Sequence, residues 1–245
     1  MQGPENAGAP VRLNPEYRMN IKPHIKCQKA GTFNIDDWKA ADAPFKTAEF
    51  ADFQQGWTDR PSPDFRPAKA AAAWTDNALI VYAELCDDDI FNDTGEGEFN
   101  KIAIDSGDVF EIFLGPAGQD SYYEFHVSPR NQKIQLRLPF PKCFEKLQPA
   151  FKSSEAMLET FKIWSPVIQS RVRIDRAAGK WWVLVEIPFS MLVEKGPVVA
   201  GLKWSFSFCR YDYTRPGRNL AYSSTSPHSA INYHLVDEYG VLEFV

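Results

Sequence analysis

The chain has 245 residues, 44% hydrophobic and 14% aromatic, which is enough apolar material for one large core and points to a single compact domain. A net charge of −5 and an isoelectric point near 5.5 leave no basic footprint and argue against a nucleic-acid partner. No apolar run approaches the roughly 18 residues of a spanning helix, so no membrane-spanning segment is expected.

Residues 1–30 are rich in Pro, Asn and Gly and read as an extended N-terminal arm, with one short strand near Ile21 to Cys27. The opening MQGPENAGAP has neither the basic stretch nor the apolar stretch of a secretory leader. A cytoplasmic protein and one whose leader has been removed both stay open. Residues 31–245 form the compact domain, opened by TFNIDDW at Thr32 to Trp38. Phe45 to Pro67, with Pro61, Pro63 and Pro67, reads as a long loop presenting Trp57.

From Ala70 onward the strand signals are dense: Leu79 to Leu85, Asp108 to Leu114, Tyr122 to Val127 and Lys133 to Leu138, separated by turn residues. Pro139 to Pro166 interrupts them, and SSEAMLET at Ser153 to Thr160 predicts a short helix there. Ile168 to Ile174 and Trp181 to Ile187 are further strands. Pro188 stops the second, and one helical turn is expected over Phe189 to Glu194. Trp204 to Tyr211 alternates, with Trp204, Phe206 and Phe208 on one face and Ser205, Ser207 and Cys209 on the other. Thr214 to His228 reads as a loop, and Gly240 to Phe244 closes the sheet. The fold class that follows is all-β: a two-sheet antiparallel β-sandwich, jelly-roll or immunoglobulin-like, with long loops and short helical turns.

Cys27, Cys86, Cys143 and Cys209 form no CxxC or Cys/His cluster, which makes a zinc site improbable, and Cys86 and Cys209 read as buried thiols rather than disulfide partners. Glu111 stands in the apolar run DVFEIFL. A buried carboxylate needs a hydrogen-bonding partner, either a ligand hydroxyl or an internal Arg or His. His126 shares a strand face with Tyr122 and Glu124, so Glu111, Glu124 and His126 form one polar patch if their strands pair. Arg210 falls on the side of Phe206 and Phe208, opposite Cys209 and Tyr211. Its planar fork suits vicinal hydroxyls, a uronate carboxylate, or an ion pair with Asp212, Asp108 or Glu111. Asp87, Asp88, Asp89 and Asp93 form an acidic loop without EF-hand spacing. No GxSxG motif is present, and nothing in the spacing of Glu111 and Glu124 supports a glycosidase pair.

DDW, AAAWTDNALIVYAEL, GDVFEIFLGP, YYEFHVSP, WWVLVEIPFSML, WSFSFCRYD and YGVLEF occur in this order. Together they resemble carbohydrate-binding module family 9 and its DOMON relatives, which bind sugar or haem, over about Ile35 to Val245. The resemblance implies a sandwich that binds an oligosaccharide or polysaccharide on the concave face of one sheet, without catalysis. Family members clamp a sugar between two tryptophans. Here those places fall on Asp105 and near Tyr233, so the clamp is absent and general glycan binding is the expectation. A carboxylate on the central strand matches Glu111, a basic residue on the next matches His126, and polar positions on the late strand fall at Ser207, Cys209 and Tyr211. The candidate sugar-binding set is Glu111, His126, Arg210, Trp57, Tyr233, Cys209, Tyr211 and Asp108, with Trp57 or Tyr233 stacking on the ring. Some family members hold a structural calcium, for which Asp87, Asp88, Asp89 and Asp93 are the candidate ligands here, against the plainer reading of a solvated acidic turn; the resemblance also favours a periplasmic or extracellular location. The alternatives left open are a carbohydrate-active enzyme, a haem domain using His126 and Met191, and an interaction module that binds no sugar and whose concave face is filled by its own loops, such as Pro139 to Pro166.

Overall fold

The computed structural model describes residues 21–38, 43–215, 217 and 219–245. The first 20 residues of the expected arm lie outside the described residues. The strands are β1 His24–Lys29, β2 Ala51–Asp52, β3 Ala68–Trp74, β4 Ala78–Cys86, β5 Val109–Gly115, β6 Tyr122–Val127, β7 Lys133–Leu138, β8 Gln169–Asp175, β9 Lys180–Pro188, β10 Lys203–Thr214, β11 Asn219–Ser224 and β12 Gly240–Phe244. Among the described residues, the α-helices α1 Cys143–Leu147, α2 Ser154–Phe161 and α3 Phe189–Leu192 sit between them. No helix among the described residues is long and apolar enough to cross a membrane.

The protein is all-β, built as one curled sheet of 12 strands in the order β7-β6-β5-β10-β12-β1-β3-β4-β9-β8, with β11 paired to β10 and β2 to β3. Strand β1 lies at the middle of this path. Its first residues, His24 to Cys27, pair with β12, and Gln28 and Lys29 pair with β3. Both pairings are parallel, which departs from the expected all-antiparallel arrangement. An N-terminal strand lying between two distant segments has no hairpin turn to fix its direction. The segment assigned to the arm thus supplies a strand to the sheet.

Alternation explains the layers. In the β5–β6–β10 half, Phe110, Ile112, Phe125, Phe206 and Phe208 point inward and share one core with Val81, Leu85, Trp181 and Val183 of β4 and β9. The alanine run of β3 has little side chain on either face. Ala70 and Ala72 enter this inner core, while Ala71 and Ala73 pack outward against Ile35 and Phe45. The other residues of β5, β6 and β7, among them Phe113, Tyr122, Ile134 and Leu136, form a second cluster with Met157 and Phe161 of α2 and with Tyr233 and Tyr239. The Pro139 to Pro166 interruption therefore folds back over the outer face of the β5–β7 half. The expected helix over Ser153 to Thr160 is α2, with the Ser153 hydroxyl accepting from the Ala156 amide at 3.2 Å.

The expected loop over Thr214 to His228 contains β11, which pairs with β10 from Cys209↔Ser224 to Thr214↔Asn219. Its sequence, NLAYSS, carries no β-branched residue, so its strand state comes from pairing with β10 rather than from intrinsic preference.

Candidate functional site

On the outer face of the β5–β7 half the chain encloses a cavity of about 330 Å³. Its floor is the sheet: Glu111 and Phe113 of β5, Glu124 and His126 of β6, Ile134 and Leu136 of β7, and Tyr211 of β10. Ile102, Ile104, Phe144 of α1, Leu158 of α2 and the segment Ile231 to His234 complete the walls. Strand register brings the polar groups together, since Glu111 lies opposite both His126 and Cys209. The polar patch expected from alternation is therefore present, and it opens into a space lined mostly by apolar side chains, the usual composition of a small-ligand pocket.

The three charged groups form one unit. His126 Nε2 lies 2.5 Å from Glu124 Oε1 and 3.1 Å from Glu111 Oε1. All three residues are buried. Burial pushes the Glu111 carboxyl up to about 8, with the Glu124 charge adding to the effect against the pull of His126. Burial also disfavours charge on Glu124 and His126, but it is outweighed: the hydrogen bond from His126 holds Glu124 below the usual carboxylate range, and the Glu111 carboxyl together with the Glu124 hydrogen bond holds His126 above the usual imidazole range. The shorter of the two contacts joins His126 to Glu124, the glutamate whose charged form is favoured, whereas burial favours the neutral form of Glu111. Two polar atoms of this unit, Glu124 Oε2 and His126 Nδ1, are buried without a hydrogen-bond partner among the described residues. His234 Nε2 stands 3.9 Å from Glu124 Oε2, beyond hydrogen-bond reach, while its Nδ1 meets the Tyr122 hydroxyl at 3.0 Å.

No protein-family model matches the sequence, and no curated protein matches it. Among solved structures, the chain is similar to a candidate carbohydrate-binding protein from Bacteroides uniformis, with a TM-score of 0.64 and 15% identity over 92% of this chain and 100% of that one. It is also similar to a carbohydrate-binding module family 9 domain from Caldicellulosiruptor kristjanssonii. The glucose complex of that module gives a TM-score of 0.58 at 14% identity, covering 91% of this chain and 96% of the module. The cellotriose complex gives 0.55 at 15% identity, covering 91% and 93%. The fold is that of a family 9 carbohydrate-binding module.

Within this family 9-like domain, the sequence-derived candidates separate by position. Glu111, His126, Tyr211 and Tyr233 line the cavity. The Tyr233 hydroxyl donates to the Arg210 carbonyl at 2.9 Å, which fixes the ring at the wall. Cys209 is fully buried beside Glu111, with its Sγ 3.3 Å from the Ser207 hydroxyl, and does not reach the cavity. Trp57 is half-buried against the second cluster and is likewise not part of the lining.

Arg210 is elsewhere altogether. It points to the inner side of β10, fully buried, where it donates to the Cys86 carbonyl at 2.6 Å and meets Asp87 at 3.0 Å and Asp212 at 3.1 Å. Of the partners considered from sequence, Asp212 is met and Glu111 is not. Asp108 is also buried and accepts from the backbone amides of Phe91 at 2.7 Å and Tyr213 at 2.9 Å, a structural role outside the cavity. These placements remove Arg210 and Asp108 from a common site with Glu111.

The acidic loop does not fit a calcium ion as arranged. Asp87 is paired with Arg210, Asp88 with Arg66 at 2.5 Å, and Asp89 with Arg215 at 2.7 Å, so three guanidinium groups already hold these carboxylates. Asp93 is exposed, with its backbone amide bonded to the Ser106 carbonyl. The suggested haem ligands are also separated, because Met191 belongs to the inner core and His126 faces the outer cavity. His234, Phe144 and Leu158 had no signal in the sequence. They come from segments whose position over the sheet depends on tertiary packing.

Proposed function

We propose that the protein is a non-catalytic carbohydrate-binding domain that takes a sugar residue into the cavity above Glu111, Glu124 and His126, the concave site of a two-sheet sandwich. The observation that carries this reading is the pair of buried, unpartnered atoms at the cavity floor, Glu124 Oε2 and His126 Nδ1. One accepts and the other, on the imidazolium, donates, which matches the paired donor and acceptor capacity of sugar hydroxyls. Leaving such groups unmade costs about 1–3 kcal/mol each, so a ligand that satisfies them gains affinity from a penalty already present in the free protein. The rings of Tyr211, Tyr233 and Phe144 supply faces for the apolar CH side of a pyranose. The fold's likeness to modules solved with glucose and cellotriose supports the same ligand class.

The test is a calorimetric titration of neutral mono- and oligosaccharides, repeated with Glu111→Ala. Saturable binding by the wild type and its loss in a folded Glu111→Ala protein are expected. A folded variant with unchanged affinity would remove Glu111 from the site, and a flat response across the panel would remove the sugar reading. No release of reducing sugar is expected over long incubation with the same oligosaccharides.

A further inference from the structure

Resting on the reading of the cavity as a sugar site, we propose that its preferred ligand is a hexose carrying a free amino group, with the ammonium seated against Glu124, and that acidic sugars are rejected.

The argument starts from how the cavity's charges are committed. Glu124 Oε1 is taken by His126 at 2.5 Å, and the same imidazole nitrogen serves Glu111 at 3.1 Å. Glu124 Oε2 is left buried without a donor, in a residue only 6% exposed. His234 Nε2, at 3.9 Å, is too far to donate to it directly. An ammonium brings three N–H donors and a full positive charge to this oxygen. A hydroxyl brings one neutral donor, and charge-assisted hydrogen bonds are roughly twice as strong as neutral ones. The apolar walls reduce screening and enlarge that difference.

The cavity's composition points the same way. Two carboxyl groups line it, and no lysine or arginine does. Arg210, the guanidinium that could have received a uronate, is held on the inner side of β10 by Asp87 and Asp212. The positive group facing the cavity is His126, and its Nε2 is engaged by both glutamates. A sugar carboxylate would therefore enter beside the Glu124 carboxylate with only the far side of one imidazole to meet it, an arrangement that selects against anions.

The experiment is calorimetric titration of the full chain at neutral pH with glucosamine, glucose, N-acetylglucosamine and glucuronate, for the wild type, Glu124→Gln and His234→Ala. Glucosamine is expected to bind about tenfold or more tightly than glucose, and glucuronate not to bind. Acetylation of the amine should remove the advantage. Glu124→Gln should bring glucosamine to within about twofold of glucose. Loss of the preference in His234→Ala together with its retention in Glu124→Gln would overturn the role of Glu124. Glucose binding with no preference for glucosamine would overturn this inference and leave the sugar site standing. A preference that survives Glu124→Gln would overturn the role of Glu124. Binding of none of the four sugars would overturn both this inference and the reading it rests on. If Glu124→Gln fails to fold, the wild-type ranking of the four sugars still decides.

Discussion

Glu111 and Arg210 are both charged residues in apolar strand runs, and their fates differ by one step of parity. Glu111 faces outward to the cavity, whereas Arg210 faces inward, where two aspartates and a carbonyl surround it. Removing the guanidinium would leave Asp87 and Asp212 buried without their cation. Arg210→Met is therefore expected to lose about 3–5 kcal/mol of stability, measured by urea denaturation. The folded fraction should bind sugar as the wild type does, and an affinity loss without a stability loss would return Arg210 to the binding site. The direction of both side chains was legible from alternation. That Arg210 would meet Asp87 was not, because the two stand 123 positions apart and carry no local signal of their contact.

At the scale of elements, β1 joins the two halves of the sheet, and its fit depends on close approach of backbones. A Cβ added at Gly240 would stand 2.5 Å from the Pro23 carbonyl oxygen, at the point where β12 meets β1. Gly240→Ala is expected to cost about 1–3 kcal/mol by overpacking, seen as a lower denaturation midpoint. An unchanged midpoint would show that the start of β1 can move aside freely. Removing the α2 cap with Ser153→Ala should cost about 1 kcal/mol. Since α2 supplies Leu158 to the cavity wall, sugar affinity should fall with it, and unaltered affinity would show that the wall does not need the cap. The helix was legible from its serine and apolar spacing, but its place over the sheet was not. The β11 strand shows the opposite case: NLAYSS gives little local signal, and pairing with β10 decides it.

Across the whole molecule, several buried acids give stability a pH dependence. Burial raises Glu111 to about 8 and Asp212 to about 7. A carboxyl with a higher pKa in the folded state stabilises the fold fully below its unfolded value, and that contribution is lost as pH rises through the folded value. His228, lowered to about 4 by burial, and His234, also lowered by burial, act in the other direction. Their effect is confined below about pH 7, where unfolded histidine is charged. The denaturation midpoint is thus expected to fall between about pH 7 and 8.5, and Glu111→Gln should flatten that fall. A level or rising midpoint in the wild type would show that these carboxyls ionise near their ordinary values.

The sequence by itself determined the all-β class, most of the strands and the side on which each of their residues points. Those properties follow from a two-residue period and from turn residues, both local. It thereby placed Glu124 and His126 on one face of a strand, whereas the pairing that sets Glu111 beside them came from the fold. The tertiary structure alone decided that β1 bridges the two halves in parallel, that the Pro139 to Pro166 segment roofs the outer face, and that His234 stands over Glu124. These arise between segments far apart in the chain, where burial of surface fixes the neighbours and no short pattern records them.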